Sequence, residues 1–114
     1  MSDLAIDSVA TIVQPLVKRG LFDSPEKAVR KLTQDYLLHQ IDHYRAIIQT
    51  MEVKHGMSYE QFEGYLQRRS ALLMTTPDAQ LGQTILMDEE DAFDWKVAHE
   101  MLLSWLGLQS EIEQ

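Results

Sequence analysis

The chain of 114 residues contains no cysteine and no asparagine. The first absence removes disulfides, thiolate nucleophiles and thiolate zinc sites together; it fits a reducing compartment, so a cytoplasmic location is expected. The second removes any N-glycosylation sequon. No apolar run approaches the ~20 residues a membrane helix needs, and the start lacks a basic segment followed by an apolar stretch, so neither membrane spanning nor signal-peptide secretion is expected. The five glycines, Gly20, Gly56, Gly64, Gly82 and Gly107, are scattered. They form no phosphate-cradling loop, and neither GxGxxG nor GxSxG occurs.

With 45% hydrophobic and 25% charged residues, the chain can bury a core within one domain, or a small domain with an appendage. Basic charge is scarce in one half only. Through Met57, seven Lys and Arg face seven Asp and Glu; from Ser58 onward, Arg68, Arg69 and Lys96 face eleven acids, so the net charge of −8 resides in the second half. Segregated acidity keeps a surface solvated, and it also steers cationic partners. It disfavours phosphate binding by that half.

Local signals divide the chain. Gly20 reads as a helix stop and Ser24-Pro25-Glu26 as a helix start, with Ser24 as N-cap and Pro25 at the first helical position. From there to Gly56 no glycine or proline intervenes, and Val29, Leu32, Tyr36, Leu37, Ile41, Tyr44, Ile48 and Met51 recur three and four apart, which predicts one long helix. Thirty-odd residues would span roughly 45 Å. A compact domain of this length is only about 34 Å across. The helix is therefore expected either to break midway or to have its stripe covered by another chain. Leu37, Ile41, Tyr44 and Ile48 are the expected homodimer interface.

Ser58 and Gln61 have capping-box spacing, predicting a helix over about 58–74. Residues 75–87, with Thr76-Pro77-Asp78 and Gly82, read as a connection. Asp88 to Asp91 then open a last helix whose stripe is Ala92, Trp95, Ala98, Leu102, Trp105 and Leu106, with Gly107 as its stop and residues 109–114 frayed. Residues 9–13 are β-branched ahead of Gln14-Pro15, so either a short strand or a helix kinked at Pro15 is open there. The fold class is mainly α: a long central helix plus two or three shorter ones, homodimeric, with that strand as an option.

Chemistry-bearing patterns are sparse. His39 and His43, four apart and near Asp35 and Asp42, could share a metal, but two ligands do not make a site. Glu89, Glu90, Asp91 and Asp94 could pair for acid–base work, yet carboxylates at a helix start more commonly complement the dipole. No catalytic role, cofactor or metal is assigned. Trp95 and Trp105 fit core packing first, yet on an acidic helix they also suit an interface, whose buried aromatics dominate binding; Asp91, Asp94, Trp95 and Trp105 are therefore the candidate partner-binding residues. Lys18, Arg19, Lys27, Arg30 and Lys31 would serve a DNA-binding alternative.

Gly20-Leu21-Phe22-Asp23-Ser24-Pro25-Glu26-Lys27-Ala28-Val29-Arg30 before a long helix, then Lys54 to Phe62 and a closing acidic helix with Trp95, resembles small bacterial antitoxin-like proteins whose front part is a ribbon-helix-helix module. The resemblance implies a dimerisation segment over 1–57, with Val9 to Val13 as ribbon, and an acidic partner-binding segment over 58–114 that wraps a basic, toxin-like protein. Where such ribbons present Arg, Lys, Asn or Gln to bases, this chain has Ser8, Ala10 and Thr11, beside Asp3 and Asp7, which phosphate would repel. The expected function is a non-catalytic interaction module, with a ribbon-type DNA regulator or a small helical metal-binding protein as alternatives.

Overall fold

The computed structural model describes residues 2–113, with side chains from Ser8 onward. The side chains of Asp3 and Asp7, and Gln114, lie outside the described residues. The described chain is almost entirely helical: α1 (Ser2–Lys18), α2 (Pro25–His55), α3 (Tyr59–Thr75) and α4 (Ala79–Glu113).

Val9 to Val13, where a strand was open, are helical and lie within α1. Val9, Ile12, Val13, Leu16 and Val17 repeat at helical spacing, and that period prevails over the β-branched composition. α1 also runs through Pro15. It ends as expected at Gly20, whose φ is +75°. Gly20 N donates to Val17 O at 3.0 Å and Leu21 N to Leu16 O at 3.1 Å, the paired bonds of a Schellman stop.

α2 begins where expected. Ser24 Oγ accepts from Lys27 N at 3.2 Å, and Ala28 N donates to Ser24 O at 3.1 Å. The helix is continuous for 31 residues and stops at Gly56, whose φ is +64°. The anticipated capping box opens α3: Gln61 N donates to Ser58 Oγ at 3.2 Å, and Ser58 N to Gln61 Oε1 at 3.0 Å.

α4 departs from expectation at both ends. It starts at Ala79 rather than Asp88, because Asp78 caps it: Oδ1 accepts from Gln80 N at 2.9 Å and from Leu81 N at 3.4 Å. Gly82 sits inside the helix, and Gly107 does not end it. The connection expected over 75–87 is in fact residues 76–78.

The chain forms two compact units, Met1–His39 and Gln40–Gln114. The expected boundary between residues 57 and 58 lies at the turn from α2 to α3, and the compact units divide within α2. In the first unit Val13, Ala28 and Leu37 are buried. In the second, Ile48, Phe62, Leu66, Trp95 and Ala98 form the core, with Tyr44, Met51, Tyr59, Ala92 and Leu102 packed against it. This core draws on the end of α2, on α3 and on α4, a three-helix arrangement held by apolar burial.

Candidate functional site

The polar groups of the second unit gather where α2 ends beside α4. Asp91 Oδ2 accepts from Lys54 Nζ at 2.6 Å and from His55 Nε2 at 2.9 Å. A carboxylate only accepts, so the His55 proton facing it is on Nε2. One turn earlier on α4, Asp88 Oδ2 accepts from Arg69 Nη1 of α3 at 2.9 Å. The side chains of His55, Asp88, Asp91 and Arg69 are each less than a fifth exposed, so these pairs are shielded more than ordinary surface bridges.

An aromatic wall stands behind the cluster. The His55 ring lies 4.1 Å from that of Phe62 and 6.1 Å from Trp95, in stacked orientation to the latter. Tyr59 meets Trp95 at 5.6 Å and His99 at 5.9 Å. Arg69 also covers the Tyr65 ring at 4.9 Å.

The titration behaviour follows from these contacts. Burial opposes ionisation of Asp91, but hydrogen bonds and charge from Lys54 and His55 outweigh it and hold its carboxyl below the ordinary value. The Asp91 hydrogen bond and charge raise Lys54. Burial, then the hydrogen bond that Tyr59 donates to Glu63 Oε1 at 2.9 Å, push the Tyr59 phenol up to about 12.

His55, Asp88 and Asp91 each offer one donor atom within 4.8 Å of the others, a grouping compatible in type with a divalent cation. Lys54 and Arg69 already neutralise both carboxylates, so the cluster reads as a charge-balanced tie between helices. His39 and His43, the expected metal pair, are both exposed and belong to no such group of three among the described residues.

The expected interface residues lie largely inside the chain. Leu37, Ile41 and Ile48 are 3%, 1% and 7% exposed, and Tyr44 packs against the core. These side chains are thus largely covered already in the single chain. Trp95 is fully buried and Trp105 half-buried; Asp91 is engaged by Lys54 and His55, whereas Asp94 is exposed. Of the four expected partner-binding residues, only Asp94 stands free on the surface of α4. Three of the basic residues weighed for DNA carry their own acids: Lys27 with Asp23, Arg30 with Glu26 and Lys31 with Asp35.

The exposed features of α4 are different ones. Leu86 and Phe93 are each about two-thirds exposed, and Val97 and Leu108 are also exposed. Spaced seven, four and eleven apart, they fall on the side of the helix opposite Trp95. Glu89, Glu90, Asp94 and Glu100 accompany them, all exposed. α4 contains eight carboxylates and one lysine. It thus carries two apolar stripes, one turned to the core and one to solvent, where an ordinary surface helix carries one. Sequence reasoning passed over the second, although Leu86, Phe93 and Val97 follow the same helical period as the first.

Compared with family models, with curated proteins and with solved structures, the chain matches none.

Proposed function

We propose that the chain is a non-catalytic protein-interaction module, antitoxin-like in role, whose acidic last helix takes up a basic partner. The observation that supports this reading most is the second stripe of α4. A helix apolar on two faces ordinarily has both covered, and Leu86, Phe93 and Val97 are exposed on a face rich in carboxylates. Apolar anchors fenced by one sign of charge are what a complementary, oppositely charged surface recognises.

A homodimer in the cytoplasm belongs to the same proposal. With Leu37, Ile41 and Ile48 buried in the single chain, such a dimer would draw on other apolar side chains.

The test is titration of the full chain into a labelled helical peptide built from Leu, Ala and Lys, with a Glu-for-Lys counterpart as control. Binding of the lysine peptide alone, weakened by salt and by Phe93→Ser or Glu90→Lys, is the expected result. Equal binding of both peptides, or of neither, overturns the reading. For the antitoxin-like role, a small basic protein encoded beside this chain should co-purify with it and lose that association on the same substitutions.

A further inference from the structure

α3 and α4 are joined by residues 76–78 alone, so they run antiparallel as a helical hairpin. Along their seam lies a shallow groove of about 470 Å3. Leu66, in the core, and the half-buried Ala92 belong to its lining, together with the small Ser70 and Ala71 and the longer Gln67 and Met74. Its only charged lining residues are Glu63 on α3 and Glu89 on α4. Both are exposed.

Small side chains beside two antiparallel helices allow a further helix to approach closely, at the 8–10 Å axis separation of packed helices. A groove of this form suits a helix-in-groove contact, in which side chains at i, i+3, i+4 and i+7 are the anchors. Charge decides what that helix can be. A glutamate on each helix repels an acidic occupant and pairs with a basic one. A second copy presenting its own α4 would bring eight further carboxylates against this surface.

We infer that the α3–α4 groove seats one amphipathic helix of net positive charge from a partner protein. Its apolar anchors lie on Leu66 and Ala92, and lysine or arginine on its two flanks reaches Glu63 and Glu89. The inference rests on the interaction reading above and extends the partner's contact from the outer stripe of α4, past Glu89, into the α3–α4 seam.

The experiment measures binding of a labelled peptide of about 18 residues, five helical turns, carrying an Ala/Leu stripe flanked by lysines. Its glutamate counterpart is the control. Ala71→Trp and Ser70→Arg obstruct the groove from exposed or half-exposed positions, and circular dichroism confirms that each variant is folded. Each is expected to weaken binding by about tenfold or more, roughly 1.4 kcal/mol. The double variant Glu63→Lys/Glu89→Lys, altered only at exposed carboxylates, is expected to transfer preference to the glutamate peptide, and it serves if an obstructing variant does not fold. If obstructed variants bind like the parent chain while Phe93→Ser binds weakly, the groove inference falls and the interaction reading stands. If the parent chain binds neither peptide, both fall. A parent chain that sediments as a dimer and becomes monomeric on obstruction identifies a second copy as the occupant and overturns the inference.

Discussion

His55 Nε2 and Lys54 Nζ converge on the same oxygen of Asp91, at 2.9 and 2.6 Å, so one carboxylate of α4 fastens the end of α2 through two consecutive residues. An amide in its place keeps one acceptor oxygen but removes the negative charge that draws both donors, the 11%-exposed imidazole among them. Asp91→Asn is expected to destabilise the fold by about 1–3 kcal/mol, the usual range for losing a shielded charged hydrogen bond. Chemical denaturation of the variant beside the parent chain measures it. A partner-binding defect in this variant would therefore report on the fold.

The same carboxylate fixes a pH dependence. Its folded pKa lies below the ordinary value of 3.8, so its contribution is fully present above that value and is lost as pH falls through the lower folded pKa. Lys54 is shifted the other way. Its contribution is present below its ordinary value of 10.5 and disappears as pH rises through the higher folded pKa. Melting temperature followed from pH 7 toward pH 2, on the parent and on Asp91→Asn, should show the parent losing more of its advantage in acid.

Trp95 and Phe93 stand two residues apart on one helix with opposite surroundings, fully buried and 66% exposed. Trp95→Ala is expected to cost about 3–5 kcal/mol, as for other large aromatics removed from a core. Phe93→Ser is expected to stay within about 0.5 kcal/mol, as for a surface site. Equal losses in urea titrations would contradict the assignment of the two faces.

Gly82 lies within α4, and a Cβ placed there would meet Leu73 Cδ2 at 3.7 Å, an ordinary contact. Gly82→Ala is therefore expected to stabilise the chain by about 0.4–1 kcal/mol through reduced chain entropy in the unfolded state. A lowered melting temperature would mean that the first turns of α4 are not helical.

Gly20 and Gly56 should respond in the opposite sense. Both have positive φ, +75° and +64°, at helix stops. Each Gly→Ala change there is expected to cost about 1–2 kcal/mol from the left-handed backbone alone, since open space surrounds both positions.

The elements legible in the sequence are those written in one or two residues of capping chemistry. Gly20, Ser24-Pro25, Gly56 and the Ser58–Gln61 pair mark their boundaries because each satisfies or ends a backbone hydrogen-bond series locally. The start of α4 was hidden because Asp78 follows Pro77 and precedes Gly82, a composition shared by turns and helix caps. The candidate surface was hidden for a different reason. With apolar residues on two sides of α4, periodicity establishes that a helix forms but does not by itself show that Leu86, Phe93 and Val97 are left facing solvent. Nor could spacing reveal that Leu37 and Ile41 are already buried in the single chain.

The carboxylate fence along the outer stripe of α4 also governs how the unpartnered molecule behaves in solution. Glu89, Glu90, Asp94 and Glu100 supply the mutual repulsion that keeps Phe93 of one molecule from Phe93 of the next. As dissolved salt screens them, that repulsion fades while the apolar strip persists, and colloidal clumping of intact, still-helical molecules should follow rising ionic strength.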